Sequence, residues 1–287
     1  MLPNTLLFSS SCMKHSEILA HYAISAKKSL GQNFLVQDGI LEKIANIVDI
    51  AGKAVVEVGP GYGALTEKLL ALHPRTLTLV EYDPTMVRIL RDRIATGQIV
   101  IPEDTEFTIL EQDVLAYDLE QPAIIIANIP YYITSPILFR FFYETMARPT
   151  EMVILMQREV GDKIRLASGN KQSYFSLYCA HACTSVAEIM RVAPGNFIPA
   201  PKIESSVLHF MTREKENAES DRAFLKILSV GFLHPRKFLA SNFLSGLQIE
   251  KAWIVQCFES LGISLQARPA ELDLATWRAL ANAFSRK

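Results

Sequence analysis

Short apolar segments alternate with helix-patterned segments over residues 54–166, and this alternation limits the possible folds more than any other feature. The pattern predicts strands at 54–58, 76–81, 107–110, 123–127 and 151–157, and helices at 64–72, 85–95, 136–146 and 158–166. Such alternation is typical of a parallel sheet covered by helices on both faces. We therefore predict an α/β fold with a Rossmann-like sheet.

The segments that flank this core have other patterns. We expect residues 1–26 to be a disordered extension, followed by a helix at 38–48. Beyond the core the pattern predicts a helix at 173–183, strands at 186–192 and 206–211, and helices at 224–232, 236–244, 249–261 and 274–284. The polar run 213–221 is the best candidate for a boundary. We therefore divide the chain into the extension 1–26, a ligand-binding domain 27–212 and a small all-helical domain 213–287.

Four predicted strands end in a glycine or a polar residue, namely Gly59, Glu81, Asp113 and Asn128. Ligands of parallel sheets bind in the crevice outside the carboxyl ends of the strands. None of the four residues is persuasive alone. Together, from four separate strands, they predict a single binding crevice.

The run Glu57-Val58-Gly59-Pro60-Gly61-Tyr62-Gly63 lies between a predicted strand and a predicted helix. Its spacing is G-x-G-x-G, which differs from the G-x-G-x-x-G dinucleotide fingerprint. Glu81 follows Gly59 by 22 residues, where a carboxylate can accept both hydroxyls of a ribose. These features fit an adenosine-containing cofactor and leave open whether it is a nicotinamide or S-adenosylmethionine. A plain tight turn with a solvated Glu81 is the structural alternative.

Asp113 follows the third predicted strand. Its carboxylate or the neighbouring backbone could bond the adenine amine of the same cofactor. A turn-forming aspartate that caps the chain from Val114 onward explains the residue nearly as well when it is taken alone. Its place among the other strand ends favours the binding interpretation.

The stretch Asn128-Ile129-Pro130-Tyr131 follows the fourth strand. Asn128 and the Ile129 carbonyl could accept both hydrogens of an exocyclic amine and so localise its lone pair. Pro130 fixes the backbone, and Tyr131 offers a face on which a base could stack. S-adenosylmethionine is already an activated methyl donor, so such a site mainly has to position the amine. For an isolated N-x-P-Y, a capped strand with a core tyrosine would be the preferred interpretation.

Phe197, in a proline-rich loop, could form a second wall for an extruded base, although an aromatic side chain that plugs a domain junction is about as good an interpretation. The pairs Lys27-Lys28 and Arg236-Lys237 are candidate phosphate contacts. Short basic pairs are more often simply solvated.

Composition argues against several classes of protein. The apolar runs are too short to span a bilayer, and Leu6-Leu7-Phe8 lacks the preceding basic region of a signal peptide. The four cysteines show no metal spacing, so we expect no metal and a reducing, cytoplasmic setting. The net charge of -1 does not indicate nucleic-acid binding. Residues 207–287 nevertheless carry 11 Lys and Arg against 8 Asp and Glu, which permits a polyanionic partner.

Six motifs, in this order and spacing, resemble a known family. They are S-L-G-Q-N-F-L at 29–35, E-V-G-P-G-Y-G-A-L-T at 57–66, V-E-Y-D at 80–83, Q-D-V at 112–114, N-I-P-Y at 128–131 and N-F-I-P-A-P-K-I-E-S-S-V at 196–207. From about Lys27 to its C-terminus the chain resembles the ribosomal RNA adenine dimethyltransferases, specifically the bacterial small-subunit (KsgA/RsmA) branch.

The resemblance implies a class I methyltransferase that transfers two methyls from S-adenosylmethionine to each of two adjacent adenines near the 3′ end of small-subunit rRNA. It implies action on assembling small subunits, and we expect a monomer. The residues expected to hold the cofactor are Gln32, Asn33, Leu35, Glu57, Gly59, Gly61, Glu81, Tyr82, Asp113, Val114 and Asn128. The catalytic candidates are Asn128, Ile129, Pro130, Tyr131 and Phe197. Asn33 and Leu35 are carried by the resemblance alone.

The chain departs from the family pattern at two places. Tyr132 stands where relatives often have Asn or His, and the segment 234–237 is less basic than is common. Three other functions are weighed against this one. They are a large-subunit rRNA methyltransferase of the macrolide-resistance type, a non-catalytic assembly or transcription factor on the same fold, and a nicotinamide oxidoreductase. The last has the wrong glycine spacing.

Overall fold

The computed structural model describes residues 13–165, 172–215 and 218–285. The strands are β1 (Phe34–Leu35), β2 (Ala54–Val58), β3 (Thr76–Glu81), β4 (Glu106–Glu111), β5 (Ile124–Asn128), β6 (Glu151–Gln157), β7 (Cys183–Val192), β8 (Phe197–Ile198) and β9 (Ser205–Thr212). The α-helices are α1 (His15–His21), α2 (Asp38–Ala45), α3 (Ala64–Leu70), α4 (Pro84–Ala95), α5 (Thr134–Phe139), α6 (Arg158–Ile164), α7 (Tyr174–Ala182), α8 (Ala218–Gly231), α9 (Leu239–Gly246), α10 (Lys251–Ser260) and α11 (Leu274–Ser285).

Seven of these strands form one mixed sheet in the order β4-β3-β2-β5-β6-β9-β7. The five strands from β2 to β6 are parallel, as the alternation of strands and helices predicts. β9 runs antiparallel to both of its neighbours, β6 and β7. β7 and β9 are joined by the segment 193–204, which contains β8 and no α-helix, and the two strands pair antiparallel.

Two apolar clusters cover the two faces of the sheet. One contains Leu41, Leu69 and Leu90 from the helices α2 to α4, and the other contains Phe224 and Trp277 from the C-terminal helices. Residues 218–285 contain helices and no strand, which agrees with the predicted helical C-terminal part. Because these helices pack into the same cluster as the sheet, the boundary at 212/213 stays a prediction. Among the described residues no helix is long and apolar enough to cross a membrane.

The extension 1–26 differs from its prediction. Residues 1–12 lie outside the described part of the chain, but His15–His21 forms the helix α1. Ile18 and Leu19 are buried, and the Tyr22 hydroxyl donates to Asp92 Oδ2 at 2.7 Å. The prediction of disorder is therefore wrong for this segment, because burial of its two apolar residues stabilises a helix too short to show a clear period in the sequence.

The helix predicted at 136–146 is α-helical only in its first part. α5 ends at Phe139 and continues as a π-helical turn over Arg140–Glu144. The turn contains Phe141 and Phe142, which are both fully buried. π-helical turns are rare and carry no simple sequence signal, so helical periodicity alone could not reveal this one.

Candidate active site

A cavity of about 470 Å³ opens at the carboxyl ends of the parallel strands. It brings together every residue that the sequence and the resemblance propose for the cofactor and for the base that accepts the methyl group. These residues are Gln32, Asn33, Leu35, Glu57, Gly59, Gly61, Glu81, Tyr82, Asp113, Val114, Asn128, Ile129, Pro130, Tyr131 and Phe197. The strand-end argument therefore predicts the position of the site, while the roles of the individual residues remain predictions.

The glycine-rich turn after β2 forms one wall of this cavity. Gly59 and Gly61 have φ of +67° and +59°, the left-handed region that favours glycine. Gly63 caps α3 with φ of +92°, and a Cβ there would lie 2.8 Å from side-chain atoms of Ile99 and Leu90. The turn thus keeps a bare backbone against the cavity.

Glu81, at the end of β3, is held by two backbone amides. Its Oε2 accepts from the Gly61 amide at 3.0 Å, and its Oε1 accepts from the Asp83 amide at 2.8 Å. The side chain is buried, and this burial raises the pKa of Glu81 above its ordinary value. A carboxylate oxygen has two lone pairs, so both oxygens keep the capacity to accept a ligand hydroxyl.

Glu57 is a second buried carboxyl group at the cavity wall. It is 2% exposed, and its Oε2 accepts from the Thr66 hydroxyl at 2.6 Å. Burial raises the pKa of Glu57 to about 8; the hydrogen bond from Thr66 opposes the shift and the charge of Glu81 adds to it. Glu57 therefore keeps its proton at neutral pH in the folded protein, whereas a glutamate in the unfolded chain is ionised at that pH.

This retained proton makes stability pH-dependent. Because the folded pKa lies above the ordinary 4.5, the folded state binds more protons between pH 4.5 and about 8, and the free energy of unfolding falls as pH rises through that window. Glu57→Gln removes the titration, so between pH 5.5 and 7.5 the wild type should lose about 2–3 kcal/mol relative to the variant. Urea unfolding of both proteins at the two pH values measures this, and equal pH slopes would contradict it.

Asp113 caps a turn, as the structural alternative predicts, and it also lines the cavity. Its Oδ1 accepts from the Leu115 amide at 2.9 Å and caps the 3-10 turn Val114–Ala116. The cap fixes Asp113 at the rim, where it is exposed, and leaves Val114 buried below it. Tyr82 is 61% exposed on the neighbouring rim. Capping and ligand binding are therefore compatible here.

Asn128 is the last residue of β5, and Ile129 behind it is buried. Within the described part of the chain the Asn128 side chain makes no hydrogen bond to protein, so its amide is available to a ligand. The Tyr131 hydroxyl shares a 2.7 Å hydrogen bond with Ser205 Oγ, which fixes the direction of the ring. Ser205 is a positioning partner that the sequence alone did not reveal.

Two distant motifs meet over the cavity. β1 pairs antiparallel with β8, so that Leu35 faces Phe197 and Phe34 faces Ile198. The Val36 amide also donates to the Asn196 carbonyl at 3.0 Å. This pairing explains how Leu35 and Phe197 reach one site. Each strand has only two residues, so neither carries a pattern that sequence analysis can detect.

Gly31 packs against the stretch that follows β5. A Cβ at Gly31 would lie 3.3 Å from Pro130 Cβ and 3.3 Å from Tyr132 Cε1. Asn33, beside it, donates to the Gly31 carbonyl at 3.0 Å. Tyr132, where the chain departs from the family pattern, is 65% exposed and lines the cavity next to this contact.

Lys27, Arg236 and Lys237, which are proposed as phosphate contacts, do not line the cavity. Lys27 Nζ donates to Asp83 Oδ1 at 2.7 Å, so the ammonium group already has a partner within the protein. The prediction of a free phosphate contact does not include this ion pair. The side chain of Lys28 lies outside the described part of the structure. Arg236 and Lys237 are exposed in the loop between α8 and α9. Over the described ranges, no group of three or more His, Cys, Asp or Glu residues could hold a metal ion.

Comparison of the sequence with protein families gives a match over most of the chain. Residues 23–282 match the family model described as ribosomal RNA adenine dimethylase. The ribosomal RNA small subunit methyltransferase A of Geobacillus thermodenitrificans is 34% identical over 286 residues, which cover 93% of this chain and 94% of the relative. The protein of the same name from Streptococcus sanguinis is 35% identical over 284 residues, with 93% and 94% covered.

Solved structures are similar to this fold. A dimethyladenosine transferase from Plasmodium falciparum superposes with a TM-score of 0.73 at 22% identity, covering 87% of this chain and 96% of that one. The 23S rRNA methyltransferase ErmE gives a TM-score of 0.66 at 20% identity, covering 88% and 100%. These similarities confirm the predicted methyltransferase fold.

Proposed function

Because the chain belongs to the ribosomal RNA adenine dimethylase family, we propose that it dimethylates the exocyclic amines of two adjacent adenines near the 3′ end of small-subunit rRNA. One observation carries the proposal. A single cavity joins the glycine turn at Gly59, the carboxylate of Glu81 and the amide of Asn128, which makes no hydrogen bond to the described residues. The names of the relatives at 34% and 35% identity favour the small subunit over the large one.

S-adenosylmethionine is the proposed methyl donor, and the residues present fit it. The backbone of Gly59 and Gly61 is bare and in a conformation that favours glycine, which allows close approach of a ligand. Glu81 has two fixed oxygens with free lone pairs for the ribose hydroxyls. When bound, the cofactor supplies a methyl group that is already activated, so the protein needs no group to activate it.

The protein's task is then to prepare the adenine amine, whose lone pair is delocalised into the ring. Asn128 and the Ile129 carbonyl accept the two amine hydrogens and localise that lone pair. Pro130 fixes the backbone immediately after these two residues. Tyr131, held through its hydroxyl by Ser205, and Phe197 provide faces for the ring plane. No titrating base is needed until the amine proton leaves.

The proposed partner is the rRNA of the assembling small ribosomal subunit, and the proposed working form is a cytoplasmic monomer. Arg236 and Lys237, exposed on the α8–α9 loop, are proposed to contact the RNA backbone. Lys28 belongs to the same proposal. Lys27 contributes less to it, because its ammonium is bound to Asp83.

The function is tested with labelled methyl groups and separated subunits. Small subunits from a strain that lacks the modification are incubated with the protein and methyl-labelled S-adenosylmethionine, in parallel with large subunits. We expect label in the small-subunit RNA at a level well above that of the large-subunit RNA. Label confined to the large subunit would establish the macrolide-resistance alternative. Binding to small subunits without any label would establish the assembly-factor alternative.

A further inference from the structure

Asp83 is a buried carboxylate that no part of the proposed mechanism uses. It is 1% exposed and caps α4, where its Oδ1 accepts from the Thr85 amide at 2.9 Å. The same oxygen accepts from Lys27 Nζ at 2.7 Å, and Oδ2 accepts from Gln32 Nε2 at 3.0 Å. Of the three groups that donate to the Asp83 carboxylate, the two side chains therefore come from a segment more than fifty residues earlier in the sequence, with separations of 56 and 51 residues.

Asp83 is also bonded to the proposed ribose carboxylate. Its backbone amide donates to Glu81 Oε1 at 2.8 Å, and this is one of the two bonds that fix the Glu81 carboxylate. A displacement of Asp83 would therefore change the direction of Glu81. The chain Lys27–Asp83–Glu81 is continuous from the outer surface to the cavity.

The segment 27–35 crosses the cavity and is attached at both ends. Near Lys27 it is held by Asp83, and the Gln32 side chain accepts from the Lys27 amide at 2.9 Å as well as donating to Asp83. At its far end Leu35 pairs with Phe197. Residues 30–35 between these attachments line the cavity.

We propose that Lys27 and Gln32, acting through Asp83, are positioning residues that set the cofactor carboxylate and hold the segment 27–35 over the cavity. This inference rests on the proposed function, and it assigns Lys27 a role in cofactor binding in addition to any contact with RNA. Lys27 acts by neutralising Asp83, which lies two residues from Glu81. Without it, two carboxylates share a buried region with no cation on Asp83, and their repulsion disfavours the ionised, correctly directed Glu81.

The direction of the Asp83 titration is consistent with this arrangement. Burial is the largest single influence and by itself would raise the pKa of Asp83, but the hydrogen bonds from Lys27, Gln32 and the Thr85 amide, with the charge of Lys27, together lower the pKa below the ordinary value. The Lys27 side chain is 44% exposed, so solvent screens part of the attraction. We therefore expect a moderate effect on affinity.

The test is a double-mutant cycle read by calorimetric binding of S-adenosylmethionine to the full chain without RNA. Lys27→Met should raise the dissociation constant for S-adenosylmethionine about fivefold, which corresponds to a loss of about 1 kcal/mol in binding free energy. Asp83→Asn keeps the helix cap but removes the charge, and in that background Lys27→Met should change the dissociation constant less than twofold. Lys27→Arg should restore most of the affinity. The matched control is Lys43→Met, an exposed lysine on α2 outside the cavity, which should bind as the wild type does.

The outcomes separate this inference from the function on which it rests. If Lys27→Met weakens binding equally in both backgrounds, Lys27 does not act through Asp83 and the inference is wrong. If it raises only the KM for RNA, Lys27 is an RNA contact alone. If Lys27→Met lowers kcat at saturating cofactor and RNA while the dissociation constant for S-adenosylmethionine stays unchanged, Lys27 does not act through cofactor binding and the inference is wrong. If the wild type does not bind S-adenosylmethionine at all, the proposed function itself fails.

Discussion

Asn128→Ala should lower methyl transfer about a hundred- to a thousandfold, the loss typical of removing one preorganised hydrogen-bond partner from a reacting group. The amide of Asn128 is the group proposed to localise the lone pair of the adenine amine. It makes no hydrogen bond to the described residues, so its removal leaves no protein group without a partner. Affinity for S-adenosylmethionine should stay largely intact, because the glycine turn and Glu81 are unchanged.

The measurement is single-turnover methyl transfer at saturating cofactor, together with calorimetric cofactor binding. Asn46→Ala is the matched control, since Asn46 is exposed at the end of α2 and donates only to the Glu42 carbonyl. A variant at position 128 that transfers methyl groups as fast as the wild type would refute the lone-pair argument. A joint loss of transfer and of cofactor binding would place Asn128 in cofactor binding instead of amine positioning.

The second large effect is on stability. Arg93, on α4, is 2% exposed and holds the glycine turn from behind. Its Nη1 donates to the Tyr62 carbonyl at 2.7 Å, and its Nη2 donates to Glu67 Oε1 at 2.7 Å. Arg93→Met removes the donor from the buried Tyr62 carbonyl and the cation from Glu67, whose side chain is 24% exposed, and we expect a loss of about 2–3 kcal/mol in the free energy of unfolding.

Urea unfolding of Arg93→Met measures this loss against Arg91→Met, which changes an exposed arginine on the same helix. The control should unfold within about 0.5 kcal/mol of the wild type, as surface substitutions usually do. Because Arg93 holds the carbonyl of a turn residue, cofactor affinity should fall as well. An Arg93→Met protein as stable as the control would show that the buried guanidinium contributes no net stability.

The position of the candidate cavity can be predicted from the sequence because the cavity is built from strand ends. Gly59, Glu81, Asp113 and Asn128 each lie at or just after the end of a predicted strand, and parallel strands present their carboxyl ends at one edge. Their convergence follows from topology alone and needs no knowledge of side-chain contacts. The three strands at 54–58, 76–81 and 151–157 have the predicted bounds, because each has a clear apolar pattern in the sequence.

The features that sequence analysis missed depend on contacts between distant residues. β1 and β8 each have two residues and exist because they pair across the cavity. The pair Lys27-Lys28 resembles a solvated basic patch in the sequence, and only the fold places Lys27 on a buried carboxylate. Ser205, which holds the Tyr131 ring, has no distinguishing pattern in the sequence. Its role follows only from the pairing of β9 with β6.

The most direct test of the central claim is the identity of the methylated product. Small-subunit rRNA that has reacted with the protein is digested, and its nucleosides and fragments are analysed by mass spectrometry. The account predicts two methyl groups on the exocyclic amine of each of two adjacent adenines near the 3′ end, and no such product with Asn128→Ala. Methyl groups on a ribose, on a ring nitrogen or on another base would contradict it.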